Sequence, residues 1–240
     1  MFKNFSVLFM FVSFFLFNYS LRPQGVVEIG TGTGYQRQPL GIYYGYERAA
    51  ALYTAAEIGP PKSIQALGWY ISINSGQSIP AKIYLKKTTS VSMTSNTWSS
   101  MIAGATLVYE GSLTCNSSGW KSIDIDDFSY DQDNLLVLCE TNYGGTGTSS
   151  YPQFRYTSSG SNLFQSWASD NSIPLDVGTL STNRPNMQIY YLLGDMSFSS
   201  ATTQQGTTAR VLVGDINQEI IKLNIVTSGA QNPISVSSIT

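Results

Sequence analysis

The side chains able to do chemistry in this sequence are fifteen carboxylates, two thiols and no imidazole at all. Without histidine, a Ser-His-Asp triad, a Cys-His dyad and any His-ligated zinc site are excluded whatever the fold. Two cysteines exclude a cysteine-only zinc site as well. A carboxylate pair acting on a glycosidic bond is the remaining common route, one acid held protonated and its partner ionised. Glu57, Glu110 and Glu140 could be nominated for it, but nothing in their spacing brings two of them together. No catalytic residue and no enzyme are therefore expected.

Binding chemistry is better represented. Asp124, Asp126, Asp127, Asp131 and Asp133 crowd ten residues of a chain that is only 12% charged. Calcium takes six to eight oxygen ligands, so this cluster makes it the one metal cofactor to test for. The spacing departs from a helix-loop-helix calcium loop, with Phe128 and Leu135 at later ligand positions, and solvated turn residues are the simpler reading. Tyr35, Tyr43, Tyr44 and Tyr46 crowd a Gly-rich segment, and Tyr143, Tyr151, Phe154, Arg155, Tyr156 and Trp167 populate a later irregular one. Sugars present flat C–H faces that stack on aromatic rings, and loops on a rigid scaffold suit that task. The expected ligand site is Tyr143, Tyr151, Phe154, Arg155 and Trp167, gathered at one end of the fold. Packing is the competing reading for each ring, and Trp69 and Trp120 look structural.

Other partners fit poorly. Thirteen basic residues against fifteen acidic ones give a net charge of -2, with no cluster able to track phosphates, so nucleic acid is not expected. Gly30-Thr31-Gly32 begins like a dinucleotide fingerprint but has Tyr35 at the third glycine and opens no amphipathic helix. It reads as a flexible loop.

The elements that must position these residues are strands. In Ala81–Lys86 apolar Ala81, Ile83 and Leu85 alternate with Lys82, Tyr84 and Lys86, as a sheet with one wet face requires. Leu67, Trp69, Ile71 and Ile73 share a face just before, and Asn74-Ser75-Gly76 supplies a turn that would make the two runs a hairpin. Further runs span 105–113, 120–125, 134–139, 154–156 and 187–192, with long loops between 143 and 184, and no helical stripe persists. The fold expected is all-β, an antiparallel β-sandwich of jelly-roll type over residues 26–193. A polar linker at 194–208 then leads to residues 209–240, the start of a second β domain too short to close a core.

Lys3 followed by the apolar run Phe5 to Phe17 reads as a signal peptide over residues 1–25, cut between Ser20 and Gly25. The run is short of the roughly 20 residues that span a bilayer, so an uncleaved anchor is the lesser alternative. An extracellular or cell-surface location follows, without a membrane once the signal is removed. There Cys115 and Cys139 have the oxidant to pair, but pairing and two separate thiols remain equally open.

Ile29–Gly34, Gly119-Trp120, Phe128–Asp131 before Asn134–Val137, and Asn183–Asn186 together resemble the amino-terminal modules of large secreted bacterial surface proteins. Val213–Ile221 followed by Asn232-Pro233-Ile234 resembles the opening of the β domain amino-terminal to BNR-repeat sialidases. The resemblance implies an accessory or adhesive role beside neighbouring domains of a longer chain, and transfers no catalytic residue. Two functions are thus expected in competition: a module binding glycans or cell-surface ligands, and a structural spacer. An accessory part of a sialidase-like hydrolase whose catalytic domain lies elsewhere ranks third.

Overall fold

A computed structural model describes residues 24–194, 196–206, 212–214, 221–229 and 234–236. The signal peptide call thus falls outside the described residues but for its last two positions, and so does most of the expected second domain. In chain order the strands are β1 (Gln24–Ile29), β2 (Gly34–Gln36), β3 (Tyr46–Tyr53), β4 (Lys62–Ile73), β5 (Ser78–Thr88), β6 (Thr106–Thr114), β7 (Gly119–Tyr130) and β8 (Asn134–Asn142). They continue with β9 (Gln153–Ser158), β10 (Phe164–Ser169), β11 (Thr179–Ser181), β12 (Asn183–Pro185), β13 (Met187–Leu192), β14 (Ser197–Gln204) and β15 (Lys222–Ser228). The only helices among the described residues are single turns, α1 (Ala55–Ile58) and α2 (Trp98–Ile102).

The protein is an all-β, antiparallel sandwich. The first sheet runs β1-β13-β4-β9-β12, with β7 on β4 and β2 on β9; the second runs β11-β10-β3-β8-β5-β6. Long strands alternate between layers in jelly-roll fashion: β3 lies in the second sheet, β4 in the first, β5 in the second, β7 in the first and β8 in the second.

That alternation corrects the expected hairpin of β4 and β5, because these neighbours in sequence lie in opposite sheets. Each carries an apolar face that must be covered, and crossing between layers sets Leu67, Trp69 and Ile71 in the same core as Ile79, Ala81, Ile83 and Leu85. Within each strand the expected sidedness is right, except that Ile73 overruns the rim and is 40% exposed. A bulge between Ile64 and Ala66 shifts the register of β4, so that Ile64 joins Leu67 on the inner face. Cys115 and Cys139 are both buried in this core as free thiols. Burial raises Cys115 to about 11 and Cys139 higher still, leaving both unreactive.

A second core, absent from the sequence reading, covers the outer face of the second sheet. Ala50 and Leu52 of β3 and Leu136 and Leu138 of β8 point outward into it, where they meet Met93, Trp98, Met101, Leu163 and Trp167. The covering segment is fastened by one carbonyl: Asn96 O accepts from Gln165 Nε2, Trp167 Nε1 and Gly178 N, each at 3.0 Å. Trp98 and Trp167 meet edge to face at 5.4 Å.

The stretch expected as linker contains β14, which pairs along its length with β15 in a separate two-stranded ribbon. Its Ser- and Thr-rich sequence reads as polar coil, but β-branched threonines suit a strand.

Candidate functional site

Period-two geometry also decides what stands on the outer face of the first sheet. β4 turns Trp69 and Ile71 inward, so Tyr70 between them faces out; Ile123 and Ile125 of β7 face in, so Trp120 faces out; Phe154 of β9 faces in, so Arg155 faces out. Register then aligns them. Tyr70 pairs with Trp120, Ile71 with Phe154, and Tyr35 of β2 with Arg155. The result is a strip of Tyr35, Arg155, Tyr70 and Trp120 across four strands, on the order of 14 Å at ~4.8 Å per strand spacing.

Within the strip the Arg155 guanidinium carbon lies 3.7 Å from the Tyr70 ring centroid. Tyr70 and Trp120 meet edge to face at 5.6 Å and 83°. Tyr35 is 54% exposed and the other three are half-buried. Beside them Gly68 forms a low floor, since a Cβ there would come 3.2 Å from the Tyr190 ring. The Tyr190 hydroxyl donates to Gln188 Oε1 at 2.6 Å and Gln188 Nε2 donates to Glu28 Oε2 at 2.9 Å, continuing the polar surface to β1. Burial first, then the Glu28 charge, raise the Tyr190 phenol.

A second aromatic group forms at one end of the sandwich. Tyr43 packs edge to face on Tyr44 at 5.0 Å and on Tyr151 at 5.1 Å. Backbone bonds dock the 143–152 loop on the 41–45 loop: Gly144 N donates to Gly45 O and Thr148 N to Ile42 O. The approach is too close for side chains, as a Cβ on Gly147 would lie 2.3 Å from the Tyr43 carbonyl oxygen. Beneath it buried Glu47 accepts from Arg37 Nε at 2.7 Å and from Tyr44 N at 3.1 Å. Burial outweighs the Arg37 charge and leaves this carboxyl above its ordinary value. Only Tyr43 is left well exposed, at 42%.

The five residues expected to form one exposed patch are therefore separated. Tyr143 and Tyr151 sit at the loop end, packed on the main core; Phe154 lies inside that core; Trp167 is buried in the second core; Arg155 alone stands on the open strip. Phe154 and Trp167 belong to β9 and β10, strands within the region read as loops, and strand residues facing a core are committed to it. Trp120, read as structural, faces outward, which its parity with Ile123 and Ile125 could have shown. The Gly30–Gly32 segment, read as flexible, is docked: Gly32 N donates to Thr157 Oγ1 at 2.7 Å and Asn186 Nδ2 donates to Gly32 O at 2.8 Å.

The aspartates do not converge either. Asp124, Asp126 and Asp127 lie exposed along β7, with Asp131 and Asp133 just beyond it. Asp127 accepts from Gln65, and Asp131 pairs with Lys87 at 2.6 Å, a hydrogen bond that lowers its pKa. No three acidic or thiol groups among the described residues are placed to share a metal. Asp124 and Asp126 share the outer face of β7 but are spread along an extended strand, and Asp131 and Asp133 lie past its end.

Glu110 and Glu140 flank Lys82 from the strands on either side of β5, and each of the three glutamates lies beside a cation. Glu57 takes Arg184, Glu110 takes Lys82 and Glu140 takes Arg48. Burial pushes the Glu57 carboxyl up, but the Arg184 and Thr54 hydrogen bonds outweigh it and hold the group below its ordinary value. Compared with known proteins, the sequence matches no family model and no curated protein.

Proposed function

We propose that this chain is a non-catalytic binding module of the cell surface or extracellular space, taking a saccharide chain on the outer face of its first sheet. The observation that carries this reading is the strip itself. Three rings and a guanidinium stand uncovered on a rigid sheet, whereas the corresponding face of the second sheet lies beneath a second core. Aromatic faces stack on the apolar C–H faces of pyranose rings, and the flanking Gln188 and Ser122 side chains offer partners for hydroxyls. Sheet residues need little reordering on binding, which favours affinity from a modest contact area. The engagement of Glu57, Glu110 and Glu140 with cations supports binding over hydrolysis, since a carboxylate beside a cation favours its ionised form and a glycosidic general acid must be protonated. An accessory role within a longer surface protein fits the same reading.

The test is retention of the full chain on a panel of immobilised polysaccharides, with Trp120→Ala and Tyr70→Ala compared at matched thermal midpoints. Binding by the parent chain and its loss in both variants is the expected result. Equal retention of parent and variants, or retention of none on any polysaccharide, overturns the reading.

A further inference from the structure

We infer that Arg155 makes the strip selective for carboxylated glycans, a deepening that rests on the saccharide reading above. The four described arginines differ in their partners. Arg37 is paired with Glu47, Arg48 with Glu140 and Arg184 with Glu57, whereas Arg155 has no carboxylate of the described residues within ion-pair distance. Its Nε is buried without a hydrogen-bond partner among the described residues, as is the Nε of the ion-paired Arg48.

The side chain is nevertheless held in place. Its guanidinium stacks at 3.7 Å on Tyr70, and its strand position sets it opposite Tyr35, the most exposed ring of the strip. Stacking fixes the plane of the guanidinium, and a planar fork of donors matches the two oxygens of a carboxylate. A pyranose lying on Tyr35 would bring a carboxylate carried at its rim to Arg155, while the next rings of the chain extend over Tyr70 toward Trp120. The ligand that uses both parts is a polymer with an apolar ring face and one carboxylate per ring, a polyuronate. A neutral glycan would leave the guanidinium unpaired, and a simple anion would leave the rings unused.

The test uses the full chain with polygalacturonate and alginate, each beside its carboxyl-reduced counterpart, and with dextran sulfate beside dextran. Calorimetry or affinity electrophoresis should show at least one acidic polymer bound about tenfold or more tightly than its reduced form, the scale of a charge-assisted bidentate pair. Arg155→Gln should bring that ratio to about one, whereas Trp120→Ala should weaken both forms in proportion and keep the ratio. Equal binding of acidic and reduced polymers by the parent chain overturns the carboxylate inference and leaves the saccharide reading standing. A preference for dextran sulfate without any for carboxylates overturns it in favour of general polyanion binding. Absence of binding to every polymer overturns the saccharide reading itself.

Discussion

The two outer faces of this sandwich are built from strands of similar length and treated in opposite ways. On the second sheet, outward Ala50, Leu52, Leu136 and Leu138 are small or aliphatic, and a Ser/Thr-rich segment carrying Met93, Trp98 and Met101 folds down over them. On the first sheet, outward Tyr70, Trp120 and Arg155 are large, amphipathic and half-buried, and no described segment forms a second core over them. The difference shows that an aromatic residue is informative about binding only through the layer it faces. Trp167 and Trp120 are the same residue type in strands of one domain, yet one is 4% exposed and bonded to Asn96 while the other stands at the surface.

Paired substitutions sharpen that contrast. Trp98→Ala or Trp167→Ala should cost about 3–5 kcal/mol by chemical denaturation, the range for truncating a buried aromatic side chain. Trp120→Ala should cost less than about 1 kcal/mol, as for a partly exposed site, and act on ligand binding instead. Equal destabilisation by Trp120→Ala would erase the distinction between the faces.

The arginines offer the next comparison. Arg184→Ala removes a buried cation that donates to Leu52 O and Glu57 and stacks on Tyr53, and should cost about 3 kcal/mol. Arg155→Ala, with no ion pair to lose, should cost under about 1 kcal/mol in the same unfolding assay.

A smaller effect is expected at the loop end, where Gly147→Ala must place a Cβ against the Tyr43 carbonyl at positive φ. Roughly 1–3 kcal/mol of lost stability should accompany loosening of the Tyr43 and Tyr151 rings, read as faster amide exchange at Thr148.

The smallest effect is one of pH. Because the folded-state pKa of Glu57 lies below its unfolded value, its contribution is full above the ordinary carboxylate range and declines as pH falls through the lowered folded value. Glu57→Gln should therefore flatten the acid limb of the stability profile, while stability near neutrality falls by the same contribution. An unchanged acid limb would place the sensitivity elsewhere.

Much of the sandwich was legible because a strand with one wet face advertises itself. Ala81, Ile83 and Leu85 against Lys82, Tyr84 and Lys86 gave the sidedness of β5, and Met187–Leu192 gave the bounds of β13. What failed was pairing, since local periodicity says which face is buried but not which strand lies alongside; β4 and β5 were thus joined when they oppose. The second core was hidden for a related reason. Met93, Trp98 and Met101 follow no period, and only the unbroken apolar runs Ala49–Tyr53 and Leu135–Cys139 hinted at strands covered on both faces. Of the site, Arg155 could be nominated from its aromatic neighbours, whereas its partners Tyr70 and Trp120 come from strands remote in sequence and meet it only through register.

Gln24 at the start of β1 lies opposite Leu192 at the end of β13, so the chain enters and leaves the sandwich side by side. Two such ends are about 5 Å apart. A pull applied between Gln24 and Leu192 would load that one corner and open the β1–β13 hydrogen bonds in turn, as a zipper opens, ahead of the strands that carry the strip.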